Sequence, residues 1–388
     1  MSMRREASLK TALFLSAAAT VTIIILGILL LRPLVSKAGN AQQTGLSKTV
    51  KEIFDTRARA IVKESAKDTV LSNYDITEKL GQWAQTHEKA KMVFVRLWMI
   101  KRGVRFTEAR SVINIPWSEL EGNHAELIVH QTLQVGYVYP GSTTVNRFGI
   151  GTRHWIKMKR KKGKWLICQD FYTDGLGDDS LAPEPQPADG RPPQGPPIKR
   201  TAPKNTAGIY DRGGAIRYAD KYAGLAWGAG NNHQYNPQYG NLSAIGGDCT
   251  NFVSQCLSDK NGGKLPLNGG WFYHFDQDGF SGSQAWVRAQ NFCDWVQYSG
   301  RGTLVASGTF PELVSPIKKY PRGAVQELKI GDVIGYGPNG EIEHVAIIVG
   351  WDSQGYPLVN SHTVDRYHCP WDMGYDKKTI FHLFQINS

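Results

Sequence analysis

Residues 182–203 (APEPQPADGRPPQGPPIKRTAP) hold eight of the chain's nineteen prolines. Neither a helix nor a central strand tolerates proline at that density, because each ring fixes φ and removes a backbone donor. The stretch also has too little apolar surface to fold by itself. It is read as an extended spacer, residues 177–206, that divides the 388-residue chain in two. Charge follows the same division. Residues 36–176 carry 23 basic against 13 acidic side chains, a balance of +10, whereas residues 207–388 carry 14 against 16, a balance of −2. The five cysteines contain no C-x-x-C pair, which excludes a zinc ribbon or a thioredoxin-like centre.

Thr11 to Leu31 is a run of 21 residues without a charge. At about 1.5 Å of rise per residue it is long enough to cross a bilayer as a helix. It is also longer than the apolar region of roughly 7–15 residues found in a cleaved signal peptide. Arg4, Arg5 and Lys10 precede it. The expectation is a cytoplasmic N-terminus at 1–10 and a single transmembrane signal anchor at 11–31. Everything after it is then extracellular, at the cell membrane.

Residues 40–176 read as a basic α+β domain. Val50, Ile53, Phe54, Ala58 and Ile61 recur at helical spacing, and Glu126 to Tyr139 partly alternates. Gly151 to Asp170 reads as a hairpin turning over Arg160 to Lys164. Helices followed by meandering strands give this part a faint resemblance to the cystatin-like cone domains. Lys157, Lys159, Arg160, Lys161, Lys162 and Lys164 cluster at the hairpin tip. They are read either as a solvated surface or as a contact for an anionic wall polymer or lipid headgroup. Nucleic acid is not expected as a partner, since it would require a cytoplasmic location.

The chemistry concentrates in Gly246-Gly247-Asp248-Cys249-Thr250-Asn251-Phe252-Val253-Ser254-Gln255-Cys256-Leu257. Phe252, Val253, Cys256 and Leu257 mark one face of a helix, with Gly247 or Asp248 as its N-cap. Cys249 then lies in the first turn, where free N–H groups and the helix dipole favour a thiolate. Cys256, on the apolar face, is expected to be buried and inert. His344 opens the strand HVAIIVG, and Ser353-Gln354-Gly355 turns the chain back into a partner strand. A turn centred there gives antiparallel partners whose numbers sum to about 707. Asn360 and His362 share one face of the returning strand, and one of the two is expected to orient the His344 ring. A nucleophile, a base and an orienting group suit acyl transfer from an amide.

These motifs resemble the putative amidase domain family, which groups with papain-like cell-wall hydrolases alongside the CHAP and NlpC-type domains. The match covers about residues 207–388. It rests on the Gly-Asp-Cys-Thr-Asn-Phe-Val-Ser-Gln helix start, Gly331-Asp332-Val333-Ile334-Gly335-Tyr336, His344-Val345-Ala346-Ile347 and His362-Thr363. The resemblance implies a papain-like α+β fold, with Cys249 as nucleophile, His344 as base, and Asn360 or His362 as third member. It also implies cell-wall peptidoglycan peptides, or a similar amide, as substrate. Two other readings compete: a catalytically silent module that binds wall fragments, and a basic surface-assembly protein. No cofactor is expected. No metal is expected either, since the 276–279 segment breaks the calcium-loop pattern, with His274 at its first ligand position and Ala285 at its twelfth. Cys293 and Cys369 are expected to pair as one disulfide, on the extracellular location alone.

Overall fold

The computed structural model describes residues 40–176, 186–191, 209–227, 235–243, 247–276, 279–338 and 340–387. Helix α1 (Asn40–Val62) buries Leu46, Val50, Ile53, Phe54 and Ala58 along one stripe. Helix α2 (Lys79–Arg102) stops at Gly103, whose φ of 65° is the left-handed turn that a glycine accepts freely. Four antiparallel strands follow: β1 (Arg105–Glu121), β2 (His124–Val138), β3 (Asn146–Lys161) and β4 (Lys164–Phe171). The expected hairpin is present, closed over Lys162 and Gly163, both at positive φ. Its cations are largely answered from within the fold. Lys161 lies 2.6 Å from Asp75, Lys157 lies 3.5 Å from Glu126, and Lys159 lies 3.5 Å from Glu78.

The second half supplies helices α3 (Arg212–Lys221) and α4 (Cys249–Ser258), then a small hairpin of β5 (Tyr273–Asp276) and β6 (Gly279–Gly282). Helix α5 (Ala289–Tyr298) and strands β7 (Gly302–Gly308), β8 (Val333–Pro338), β9 (His344–Trp351), β10 (Pro357–Ser361), β11 (Asp365–Pro370) and β12 (Thr379–Ile386) follow. One ten-stranded sheet runs through both halves in the order β1-β2-β3-β11-β10-β9-β8-β12-β7, with β4 also on β3.

The junction is the pairing of β11 with β3, Asp365 opposite Gly151 and Tyr367 opposite Gly149. The segment around Leu225 and Ala226 crosses this seam. A β-carbon on Gly151 would lie 2.5 Å from Leu225, and one on Gly149 would lie 2.8 Å from the Ala226 carbonyl oxygen. Only glycine admits so close a backbone approach. The crossing chain is tied on both sides. The Leu225 N–H donates to Asp365 at 2.9 Å, and the Leu225 carbonyl accepts the Thr132 hydroxyl. Buried carboxylates reinforce the junction. Asp372 accepts from Trp98 and Arg102 at 2.9 and 2.7 Å, and Asp352 accepts from Tyr137 and Tyr139 at 2.8 and 2.5 Å.

The expected architecture is corrected by this arrangement. In place of a papain-like α+β domain standing apart from an α+β middle domain, the described chain forms a mostly antiparallel sheet with some helices packed on it. Among the described residues no helix is long and apolar enough to cross a membrane. That finding corrects the expected single-pass architecture and membrane location, and the run 11–31 on which both rested lies outside the described residues. Residues 186–191 of the proline-rich stretch are docked between the halves. Arg102 donates to the Ala188 and Gly190 carbonyls at 2.9 Å, and the Lys377 N–H donates to Gln186 at 2.9 Å. The Cys293–Cys369 disulfide is also corrected. Both thiols are free, Cys293 among the residues packed on α4 and Cys369 in the core that holds Trp98 and Tyr137.

Gly151→Ala is expected to lower the unfolding midpoint, because the new methyl group meets backbone that is tied on both sides; overpacking of this kind costs about 1–3 kcal/mol. Gly45→Ala, in helix α1 with open space around it, should be neutral or stabilising. Thermal unfolding of the two variants decides the matter, and equal midpoints would show that the seam is not close-packed.

Candidate active site

Helix α4 buries every residue from Cys249 to Leu257. Phe252, Val253, Cys256 and Leu257 pack with Val345, Ile347 and Val349 of β9, so one face of this strand supports the helix. Ala346 and Ile348 point into a separate cluster with Phe310, Trp371 and Phe381. In the β8–β9 ladder the Ile348 N–H donates to Asp332 O at 2.8 Å. Residues 344, 346 and 348 therefore turn their N–H groups toward β8, and Val345 turns its own toward β10. The last paired residue of β10 there is Asn360, opposite Ile347. Beyond it the chain leaves for the turn into β11, and the Val345 N–H is left near enough to the Cys249 thiol to hold its pKa down. The thiol therefore sits beside the first residues of β9, one residue along from His344.

His344 packs its ring 5.6 Å from Tyr336 and 6.5 Å from Tyr375. Burial, with Arg366 nearby, pushes its pKa down to about 3, so the imidazole is neutral across the physiological range. Burial pushes the Cys249 thiol up, partly offset by hydrogen bonds from Thr250 and the Val345 N–H. The thiolate expected from the helix position is therefore not the resting form. Tyr375 bridges the region. It feels Cys249 electrostatically, stacks under the Arg366 guanidinium at 4.8 Å, and is pushed up to about 12 mainly by burial. Arg366 and Tyr375 were missed by sequence reading, since β11 pairs with β3 of the other half and no local pattern announces that contact.

Neither expected orienting residue reaches His344. The expected register is present, with Val359 opposite Ile348 and Asn360 opposite Ile347, each pair summing to 707. That register puts Asn360 on the α4 face of the sheet, at the parity opposite to His344. The Asn360 amide donates to Asp220 at 3.0 Å and accepts from the His368 N–H at 2.7 Å. His362 is committed elsewhere too. Its Nδ1 lies 2.6 Å from Asp248 Oδ2, its Nε2 lies 2.6 Å from the Tyr222 carbonyl, and Phe252 stacks on it at 3.9 Å. Asp248 makes no side-chain capping bond to α4, so it leaves the N–H groups of the first turn untaken. Cys256 is buried as expected, and burial raises its thiol well above the ordinary value.

Residues 209–384 match the putative amidase domain family. That match supports, for this half of the chain, a hydrolase acting on amides. Over 180 residues the chain is 30% identical to the uncharacterized protein YhbB of Bacillus subtilis (strain 168), covering 44% of this chain and 47% of YhbB. The chain thus spans about half the length of that relative. Among solved structures, the intermembrane-space region of the chloroplast protein ARC6 gives a TM-score of 0.24 at 9% identity, covering 35% of this chain and 98% of that one. A function-unknown protein of Mycobacterium tuberculosis also gives 0.24 at 9% identity, covering 38% and 83%. Scores this low carry no argument about fold.

The two histidines should shape pH stability with opposite signs. Between the ordinary 6.5 and about 3 the unfolded chain binds a proton at His344 that the folded chain does not, so stability falls as pH drops through that window. For His362, hydrogen bonding and charge from Asp248 outweigh the lowering effect of burial and raise its pKa. Its contribution is full below 6.5 and is lost as pH rises through the raised value. Urea unfolding at stepped pH should show His344→Gln flattening the acid side and His362→Gln flattening the alkaline side. An unchanged acid slope in His344→Gln would contradict the neutral, half-buried imidazole.

Proposed function

We propose that the C-terminal half is a cysteine amidase or peptidase acting on peptide amides, with cell-wall peptidoglycan peptides as the substrate class. The observation that carries this reading is the place of Cys249 in the first turn of α4, with its thiol in reach of the N–H of the residue that follows His344. The substrate class is supported by the resemblance of the Cys249 and His344 motifs to wall hydrolases.

The reaction starts from a neutral thiol and a neutral imidazole. His344 takes the thiol proton as Cys249 attacks the amide carbonyl, and then gives it to the departing amine. The N–H groups of the first turn of α4 stabilise the oxyanion. A water then attacks the acyl-enzyme, with His344 again as base, and the acid product leaves. Tyr336 and Tyr375 hold the His344 ring by packing, in place of a hydrogen-bonding third residue.

The test uses the full chain and purified peptidoglycan, with released amines and fragments read by mass. Cys249→Ala and His344→Ala should each lower turnover by more than about 10³-fold, the scale seen when one member of a nucleophile–base unit is removed. Asn360→Ala should cost far less, because its amide serves Asp220 and the His368 backbone. Hydrolysis retained in Cys249→Ala would remove the cysteine mechanism. Fragment binding without any release by the wild-type chain would replace the enzyme with a binding module.

A further inference from the structure

The reaction above makes no use of the buried pair Asp248–His362, yet it adjoins the nucleophile. Both side chains are almost wholly enclosed, 2% exposed each. A carbonyl oxygen and a carboxylate oxygen can only accept hydrogen bonds. The His362 ring puts Nε2 2.6 Å from the Tyr222 carbonyl and Nδ1 2.6 Å from Asp248 Oδ2. Each ring nitrogen therefore carries a proton, and the side chain is an imidazolium. Asp248 is held from its other sides as well. Its Oδ1 accepts from the Leu242 N–H at 2.9 Å and from Asn251 Nδ2 at 2.8 Å, and its own N–H donates to the Thr363 hydroxyl at 2.8 Å.

We propose that His362, with Thr363, is a positioning residue for the nucleophile, clamping Asp248 so that the first turn of α4 presents Cys249 to the gap beside Val345. The proposal rests on reading Cys249 as the nucleophile. It also gives residues 40–176 a part in the reaction. The 362–364 turn lies between β10 and β11, and β11 is paired with β3. Arg153 of β3 donates to the Tyr235 hydroxyl at 2.7 Å. Tyr235 in turn bonds Asp365 and sets its ring edge-on to His362, 4.8 Å between centroids. The charged and titratable groups facing His362 are thus Asp248 at the N-cap of α4, Asp365 from β11, Tyr235 from the segment before α4, and Arg153 from β3 through Tyr235. Loss of one proton from His362 leaves one of its two acceptors without a donor and releases the clamp.

The experiment pairs kinetics with a readout that needs no catalysis, using the full chain. His362→Gln, Asp248→Asn and the double variant are compared for kcat, KM and pH profile. The rate of Cys249 alkylation by iodoacetamide and amide hydrogen exchange at Leu242 and Asp248 are followed in parallel. Each single variant should lower kcat about ten-fold with KM little changed, and the double variant should cost no more than the worse single one, as for coupled neighbours. Exchange at Leu242 and Asp248 should quicken in His362→Gln, and in the wild type as pH rises past the His362 titration, with kcat falling over the same range. If His362→Gln does not fold, Thr363→Val removes the acceptor of the Asp248 N–H and should show the same pattern more weakly. Additive losses, or a fall in kcat with exchange at Asp248 unchanged, would overturn the proposal. Faster exchange with kcat and alkylation both unchanged would make the pair merely structural and overturn it equally. Should Cys249→Ala keep its activity, the functional reading fails, while the exchange data still report on the clamp.

Discussion

The pairing of β11 with β3 is the contact on which the rest of the molecule depends. It is short, three residue pairs from Asp365–Gly151 to Tyr367–Gly149, but two facts make it decisive. The long strand β3 shares its second edge between β4 and β11, so the middle sheet is left open for a strand from the other half. The glycines at 149 and 151 then let the 225–226 segment cross at backbone distance. An exposed strand edge is a template for unwanted pairing, and natural proteins cover it. Here each half covers the other's edge, and the cores merge behind it, with Cys369 and Met373 buried beside Trp98 and Tyr137.

The site follows from where β10 stops. Had β10 continued alongside β9, the Val345 N–H would be spent on the ladder. Because the chain turns away after Ser361 to reach β11, that donor is left in reach of the Cys249 thiol. The same turn delivers His362 and Thr363 to Asp248. Two effects then compete at the sulfur. A helix N-terminus favours an anion by about 0.3–1 kcal/mol at exposed ends. Full burial shifts a titrating group by as much as 3–5 pKa units, at about 1.4 kcal/mol each. Burial wins, and the thiol and His344 both rest neutral. In the proposed mechanism, substrate then has to trigger the proton transfer, instead of meeting an ion pair formed in advance.

Much of the local structure was legible in the sequence because it is set by short-range pattern. The α4 face, the inert Cys256, the hairpin over Lys162 and Gly163, and the 707 register of β9 with β10 all follow from period and turn chemistry. The orienting residue was lost within that same register. Partners summing to 707 place Asn360 opposite Ile347, one residue out of phase with His344, and a slip of one residue changes the face. The joint sheet was not legible. Partner choice between β3 and β11, separated by some two hundred residues, leaves no mark on either strand except the two glycines, which read equally well as ordinary strand interruptions. Proline density likewise argued for an open spacer, yet residues 186–191 supply carbonyls to Arg102 and Lys101, because a polyproline-like backbone has unpaired acceptors to offer.

Charge shows the same limit of local reading. Six basic residues in eight positions suggest an anion-binding tip, but the fold returns Glu126, Glu78 and Asp75 to three of them from sites far away in sequence. Each pair on the exposed side is worth little, about 0–1 kcal/mol. Their effect is therefore on the field, which they reduce at the hairpin, more than on stability. Asp75 is the exception in burial, held below the usual carboxylate range by bonds from Lys161 and Thr77 that outweigh the cost of desolvation. It fixes the loop that leads into α2, and α2 in turn carries Trp98 and Arg102 to Asp372 in the other half. The basic hairpin is thereby tied, through one buried carboxylate and one helix, to the junction that shapes the candidate active site. A side chain that local sequence reads as surface charge is in this chain part of the scaffold.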